Sequence, residues 1–137
     1  LDEEAQLDLR QNKNFGVYKG ALYENIVAQM LVAQGYGLYF YRNQTATMEI
    51  DFFVRDADSL IPVEVKATND TSKSLNKIVS EASYEDVKYG IKLGDTNIGK
   101  SENFVAFPYA ITFLLKRWIR ERILLHRQGI NDKIVAE

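Results

Sequence analysis

The sequence predicts an α/β (α+β) domain with one central mixed sheet and helices on its faces. Long helical patterns stand near the beginning and near the end of the chain, and a weaker helical pattern interrupts the strand patterns between them. Helices interleaved with strands in this way usually cover a single sheet. The 137 residues, of which 46% are hydrophobic, are enough for one core.

The first elements are a long helix and a short strand. In residues 17–34 apolar side chains recur at steps of three and four, and Gly35 follows at a position that ends helices. Residues 38–42 are aromatic and bounded by Gly37, which suits a strand. This part of the chain therefore predicts a helix followed by a strand.

The next two runs predict a β-hairpin. Residues 48–54 alternate between two faces, with Ile50 and Phe52 assigned to the same one. A second apolar run, 60–67, follows the polar turn 55–59. Two such runs joined by a short polar turn most simply pair as antiparallel neighbours.

The second half of the chain predicts a weak helix, two strands and a long final helix. The weak helix covers residues 73–83, and the strands cover residues 86–93 and 103–107. The last helix is expected over 108–128, because a proline is favoured in the first turn of a helix. The predicted order is one helix, three strands, one helix, two strands and one helix.

The chain is expected to be one domain with short extensions. Residues 1–14 form an acidic leader that looks like the end of a truncated upstream region, 15–128 the domain, and 129–137 a C-terminal tail. Without an apolar run of twenty residues or a secretory signal in the sequence, we expect no membrane association and a cytoplasmic location.

Composition restricts the chemistry that is available. The chain contains no cysteine and one histidine, which excludes thiolate metal sites, cysteine nucleophiles and a zinc held by two imidazoles. Any catalysis must rely on carboxylates and lysines. The formal net charge of −2 offers no attraction of the whole surface to nucleic acid, so binding of that kind would be local.

Two carboxylates and a lysine are expected to meet on neighbouring strands. In the strand 60–67, Glu64 and Lys66 share one face, and the hairpin would bring Asp51 beside them. Mg²⁺ (or Mn²⁺) prefers oxygen ligands and is commonly held by one or two carboxylates. Asp51 and Glu64 could hold such an ion, while Lys66 could orient a water or neutralise charge on a phosphodiester.

Two further glutamates belong to the same question. Glu24 is centred on a small and apolar helix face, so it is expected to reach a polar partner on the sheet. Glu49 is a possible additional ligand, although an exposed strand residue explains it as well. An ordinary cross-strand ion pair also accounts for Asp51, Glu64 and Lys66, and spacing alone does not separate the two interpretations.

These residues carry a resemblance to a known superfamily. Glu24 on a first helix, Asp51 in a hairpin strand and Glu64-Val65-Lys66 in the next resemble the signature of PD-(D/E)XK nucleases. More closely, the chain resembles the uncharacterised C-terminal domain of a group of prokaryotic AAA-type ATPases, over roughly residues 15–115. The motifs that carry this closer likeness are residues 19–25, 49–52 and 61–67.

The resemblance implies a restriction-endonuclease-like, three-layer core. It implies metal ligands at Asp51 and Glu64, Lys66 as the catalytic lysine, and Glu24 as an assisting residue. It further implies an upstream ATPase module in the full protein. Nucleases of this fold often act as dimers, so a homodimer is among the expectations.

One motif resembles a phosphate-binding P-loop. The matching residues are Gly94, Gly99, Lys100 and Ser101. A strand pattern follows where that loop needs a helix, so we interpret the match as a turn and expect no bound nucleotide.

The last helix carries five basic residues against one acidic residue between residues 112 and 128. Its basic residues could contact phosphates, although a solvated face is the favoured interpretation; the candidates are Lys116, Arg117 and Arg120.

Two functional hypotheses follow from the sequence. The first is a magnesium-dependent phosphodiester hydrolase, with DNA as the expected substrate, that is appended to an ATPase. The second is a catalytically silent module that uses the same fold to bind nucleic acid or a protein and to regulate the ATPase.

Overall fold

The structure is a computed structural model and describes residues 3–11, 15–42, 44, 48–56, 59–66 and 71–127. Its helices and strands follow in chain order. They are α1 (Glu3–Arg10), α2 (Phe15–Ala33), β1 (Tyr39–Arg42), β2 (Glu49–Asp56), β3 (Ser59–Lys66), α3 (Lys73–Ser80), β4 (Gly90–Gly94), β5 (Gly99–Lys100), β6 (Phe104–Pro108), a 3₁₀ helix (Tyr109–Leu114) and α4 (Leu115–Arg127).

Within the described residues, six strands form one mixed sheet in the order β1-β2-β3-β4-β6-β5. β1, β2 and β3 are antiparallel neighbours, β4 is parallel to β3 and β6, and β5 runs antiparallel to β6. Lys66, Gly94 and Pro108 lie in one register row, at the carboxyl ends of the three parallel strands. This edge of the sheet carries the candidate site.

Each face of the sheet has its own apolar cluster. Buried side chains of α2 and α4, including Val27, Leu31 and Ile119, pack with one face. On the other face, Leu75 and Ile78 of α3 form a second cluster. Because the clusters lie on opposite sides of one sheet, the predicted class is confirmed: a mixed sheet is flanked by helices.

The end of α2 follows the prediction closely. Gly35 has a φ of 88°, in the left-handed region that favours glycine. The N–H of Tyr36 donates to the Leu31 carbonyl at 3.1 Å, which satisfies one of the carbonyls that the helix leaves free. The helix therefore ends where its sequence predicts.

The simple alternation predicted for residues 48–54 is wrong. Ile50 packs in the α3 cluster, whereas Phe52 packs in the α2 and α4 cluster. The cause is an irregularity in the pairing with β1, where Tyr41 pairs with Ile50 but Tyr39 pairs with Phe53. One extra residue on β2 at this point is a β-bulge, which turns the following side chains to the other face.

Two other predicted boundaries differ from the structure. The predicted helix 73–83 stops at Ser80, because Glu81 has an extended backbone conformation. The strand predicted for residues 86–93 begins only at Gly90, since turns occupy the preceding segment and the N–H of Val87 is donated to the Tyr84 carbonyl. The short strand β5 was not predicted.

Near both ends of the described chain the structure contains helical elements that were not predicted. The leader contains α1, which packs on α2. The final helix begins as a 3₁₀ helix, in which the Thr112 hydroxyl donates to the Tyr109 carbonyl. Three apolar side chains of the 3₁₀ helix and α4 are exposed: Phe113, Leu114 and Leu124. The predicted tail, 129–137, lies outside the described residues, and over the part that is described no helix is long and apolar enough to cross a membrane.

Candidate metal and phosphodiester site

The centre of the candidate site is a pair of charged residues on β3. Val63 and Val65 pack on the α2 side of the sheet, so Glu64 and Lys66, which alternate with them, face the α3 side. The Lys66 Nζ lies 3.2 Å from Glu64 Oε1. The Glu64 side chain is only 5% exposed, whereas that of Lys66 is 31% exposed. The glutamate is thus buried, and the lysine is accessible from the edge of the sheet.

The β-bulge brings Asp51 to this pair. The regular pairing of β2 with β3 ends at Phe52 and Val63. Beyond that point, the N–H of Val65 donates to the Asp51 Oδ2 at 2.7 Å. The carboxylate therefore accepts a backbone hydrogen bond at the place where the strands stop pairing. Bulges often re-aim a side chain in this way beside functional sites.

The surroundings of Asp51 oppose its ionisation. Burial raises the pKa of its carboxyl group to about 6, and the neighbouring charges of Glu24 and Glu64 act in the same direction. The hydrogen bond from Val65 and the charge of Lys66 lower that pKa, but by less. Asp51 is therefore an anion that the fold holds at a cost in free energy at neutral pH.

Glu24 reaches the same edge of the sheet from α2. Burial raises its pKa, the charge of Glu49 raises it further, and the charge of Lys66 lowers it. The structure therefore brings together four of the predicted site residues, which are Glu24, Asp51, Glu64 and Lys66. Glu49 is exposed and lies 3.9 Å from Arg42, so it stands at the border of this group.

One oxygen of the group has no hydrogen-bond partner. Glu64 Oε2 is buried and accepts no hydrogen bond, although the other oxygen of the carboxylate contacts Lys66. An unpaired buried carboxylate oxygen is costly unless a proton, a donor or a cation meets it. In the described part of the chain, no three acidic, histidine or cysteine side chains are arranged to hold a metal ion. The pair Asp51 and Glu64 is nevertheless the kind of donor set that suits Mg²⁺.

The sequence analysis missed two residues near this group. Lys92 on β4 is in register with Glu64, is 7% exposed, and faces the same side of the sheet. Tyr109, directly after β6, donates a hydrogen bond from its hydroxyl to the Lys66 carbonyl. Lys92 could have been noticed as the one charged residue inside the apolar strand pattern of β4. For Tyr109 the sequence offers only its place after Pro108.

The P-loop match lies on strands. Gly94 ends β4, and Gly99 with Lys100 forms β5, which pairs with β6. The N–H of Ser101 donates to the Phe104 carbonyl at 2.8 Å, which closes a tight turn between β5 and β6. The predicted turn therefore covers only residues 95–98, between β4 and β5, and Gly99 and Lys100 belong to a strand instead. A helix N-terminus, which a P-loop needs, is not formed at Lys100 or Ser101.

The basic residues of the last helix have contacts of their own. Lys116 Nζ donates to the Gln34 carbonyl at 2.5 Å, at the C-terminal end of α2. Arg117 Nε lies 2.8 Å from Glu121 Oε1, with both side chains more than half exposed. Arg120 is exposed. Contact of these residues with nucleic acid stays a prediction, and Lys116 is not part of a purely solvated face.

Comparison with known proteins assigns the chain to a family. No curated protein matches it. Residues 19–112, more than half of the chain, match the model of a family described as a domain of unknown function (DUF4143). The matched segment contains Glu24, Asp51, Glu64 and Lys66. The chain therefore belongs to the DUF4143 family of domains of unknown function.

Proposed function

We propose that this domain is a phosphodiester hydrolase of the PD-(D/E)XK type that uses Mg²⁺ or Mn²⁺ and acts on DNA. The observation that carries the proposal is the buried, unpartnered Oε2 of Glu64 beside Asp51 and Lys66. The restriction-endonuclease-like description of the core belongs to the same proposal. It is supported by the mixed sheet and by the position of these side chains on β2 and β3.

The charges of the group favour a cation as its missing component. When ionised, Glu24, Asp51 and Glu64 outnumber the ammonium groups of Lys66 and Lys92. Burial raises the pKa of Asp51 most, and repulsion from the neighbouring carboxylates of Glu24 and Glu64 raises it further. A divalent cation would offset this repulsion and supply a partner for Glu64 Oε2. The residues present therefore fit the group that the superfamily resemblance implies.

Each residue has a definite task in the proposed reaction. Asp51 and Glu64 would hold the cation, which when bound lowers the pKa of a coordinated water and stabilises charge on a phosphate. Lys66 would orient the attacking water and neutralise negative charge on the phosphodiester, since its ammonium is accessible from the edge of the sheet. Glu24 would accept a hydrogen bond from that water or complete the ligand set.

The wider setting is also a proposal. The resemblance to ATPase-associated domains supports an upstream ATPase module in the same chain and a cytoplasmic location. An upstream module could supply contacts to nucleic acid beyond those that a domain with a net charge of −2 attracts by its overall charge. A homodimer would place two sites on one substrate, which is how many nucleases cut both strands.

A silent binding module is the second candidate. It is favoured by the contact between Lys66 and Glu64, in which the ammonium already has a carboxylate partner. In such a module these residues would form a structural ion pair, and the fold alone would serve nucleic-acid or protein binding. The two candidates differ in whether the domain binds a divalent metal and in whether Asp51 and Lys66 are needed.

A plasmid-nicking assay with Mn²⁺ tests the proposal. We would compare the wild type with Asp51→Asn and Lys66→Ala, using Lys77→Ala on the exposed side of α3 as the matched control. We expect nicking that EDTA abolishes and that both site variants lose by about 100-fold or more, while Lys77→Ala retains it. Equal inactivity of all four proteins, together with calorimetry that shows no Mn²⁺ binding, would favour the silent module.

A further inference from the structure

Tyr109 joins three elements at the edge that carries the candidate site. It follows directly after β6, whose last residue, Pro108, lies in one register row with Gly94 and Lys66. Its hydroxyl donates a hydrogen bond to the backbone carbonyl of Lys66 at the end of β3. Its ring stacks on that of Tyr23 in α2, with centroids 4.3 Å apart and planes 1° apart.

Strand β4 lies close to the Lys66 carbonyl on a second side. A Cβ added to Gly94 would lie 3.3 Å from the Lys66 oxygen, so β4 approaches this peptide closely. The last residue of a strand has few pairing partners and is prone to local opening. The hydrogen bond from the phenol of Tyr109 counteracts that tendency at the residue that bears the ammonium.

The stacking contact extends this arrangement to the helix. Tyr23 immediately precedes Glu24, which belongs to the same charged group as Lys66. Stacked aromatic rings stabilise a contact beyond the burial of their area. Burial also raises the pKa of Tyr109 to about 12, so its phenol remains a hydrogen-bond donor at neutral pH.

We infer that Tyr109 is a positioning residue that fixes the end of β3, and with it the Lys66 ammonium, relative to Glu64 and to the helix of Glu24. Its effect on catalysis rests on the proposed function, whereas its effect on the place of Lys66 does not. Tyr109 acts through a backbone carbonyl and a ring contact. No contact between Tyr109 and the substrate is required.

Lysine NMR measures the positioning directly. The lysines are reductively methylated with ¹³C-formaldehyde, and the Lys66 resonance is assigned by its loss in Lys66→Arg. We expect Tyr109→Phe, which removes only the hydroxyl, to move this resonance toward those of exposed lysines such as Lys77. The matched control is Tyr84→Phe, which removes a tyrosine hydroxyl that contacts the Tyr41 hydroxyl at 3.2 Å, and it should leave the resonance in place.

Kinetics supplies the second measurement. We expect Tyr109→Phe to lower the single-turnover nicking rate by about 10- to 100-fold, because a small misplacement of a catalytic group has effects of this size. The Mn²⁺ affinity and the KM for the plasmid should stay within about twofold, because the metal ligands are not touched. If Tyr109 had a purely structural role, Tyr109→Phe would lower stability without lowering the nicking rate selectively relative to the Mn²⁺ affinity and KM.

The outcomes separate the inference from the proposed function. A Lys66 resonance that does not move in Tyr109→Phe overturns the inference, whether or not the protein nicks DNA. A resonance that moves while even the wild type is inactive with Mn²⁺ supports the positioning and counts against the hydrolase. If Tyr109→Phe fails to fold, Tyr23→Leu, which removes the stacked ring and keeps the phenol, should move the same resonance, and an unchanged resonance there would equally overturn the inference.

Discussion

Charged side chains in α4 and at the carboxyl edge of the sheet differ in whether their contacts compensate their charge. In α4, Lys116 Nζ donates to the Gln34 carbonyl, and the Arg122 guanidinium lies 4.1 Å from the centre of the Tyr89 ring. At the carboxyl edge of the sheet, Glu64 keeps a buried oxygen without a partner, and Asp51 is held where burial raises its pKa. The charged side chains of α4 make contacts that stabilise the fold. Those of Glu64 and Asp51 at the sheet edge lower its stability, because one oxygen has no partner and one carboxylate is buried.

This difference points to function at the edge. A protein retains strained or unfavourable groups when the surrounding structure compensates for them, and such groups concentrate at sites of activity. The net charge of the last helix suggests a function when the sequence is read alone. In the structure, however, several of its basic side chains make contacts within the protein, so a structural role accounts for much of that charge. We therefore expect substitutions at the sheet edge to lower metal binding and activity without lowering stability. Substitutions in α4 should at most lower stability and should leave activity unchanged, and the following experiments test this.

The largest effect is expected from Glu64→Gln. The amide keeps the size of the side chain and can still accept a hydrogen bond from Lys66, but it removes one negative charge from the proposed pair of metal ligands. We expect Mn²⁺ binding, measured by calorimetry, to weaken at least about tenfold, with nicking lost in parallel. Glu121→Gln in α4 is the matched control and should bind Mn²⁺ as the wild type does. If the two variants bound Mn²⁺ with equal affinity, Glu64 would not be a metal ligand.

The next effect concerns Asp51 and pH. Since its pKa in the folded protein, about 6, lies above its ordinary value of 3.8, the folded state binds the proton more tightly than the unfolded state. The contribution to stability is complete below the ordinary pKa and is lost as the pH rises through about 6. We therefore expect Asp51→Asn to be more stable than the wild type at pH 7.5 by roughly 1–2 kcal/mol, and to be nearly equal to it at pH 4.

Urea unfolding at the two pH values, without metal, provides the measurement. Added Mn²⁺ should stabilise the wild type and not Asp51→Asn, because a ligand of the folded state shifts the equilibrium. The Mn²⁺ affinity of the wild type should also fall as the pH drops below about 6, since a ligand carboxyl must lose its proton. An ordinary cross-strand ion pair predicts the reverse sign: Asp51→Asn would then be less stable at pH 7.5.

Some site residues could be predicted from local sequence patterns, whereas the positions of others depend on how the strands pair. Glu64 and Lys66 follow from strand alternation alone, and the end of α2 follows from Gly35. Asp51 was assigned to the correct neighbours, but through an alternation that the bulge breaks between Ile50 and Phe52. A bulge depends on pairing with β1, which is a tertiary property and leaves no clear mark in a single strand.

The residues that were missed illustrate the same limit. Lys92 is opposite Glu64 only because β4 is parallel to β3 in one particular register, and Tyr109 meets Lys66 only because β6 ends in the same row. Such contacts join residues that are distant in sequence. Local periodicity therefore predicts the elements and one face of the site, while the sheet order determines which side chains complete it.

A smaller effect is expected from Lys116→Met. The substitution keeps most of the aliphatic chain and removes the ammonium that contacts the Gln34 carbonyl, while the backbone N–H of residue 116 still donates to Gln34 Oε1. A hydrogen bond from a charged donor typically contributes about 1.5–3 kcal/mol, and because Lys116 is only partly buried we expect a loss of about 1 kcal/mol. Urea unfolding measures it, with Lys77→Met as the exposed control. Nicking at a temperature where both variants are folded should be unchanged, and a loss of activity without a loss of stability would instead place Lys116 at the substrate.

The smallest effect is expected from Arg117→Ala. Its ion pair with Glu121 is exposed at both partners, and the basic residue precedes the acidic one, which is the less favourable order along a helix. Screening by salt weakens such a pair further. We expect the urea midpoint of the variant to equal that of the wild type at low and at high salt. Nicking should also be retained if the exposed face of α4 is merely solvated. A selective rise in KM for DNA that disappears at high salt would show that Arg117 contacts phosphates, and part of the basic helix would then belong with the sheet edge as a functional surface.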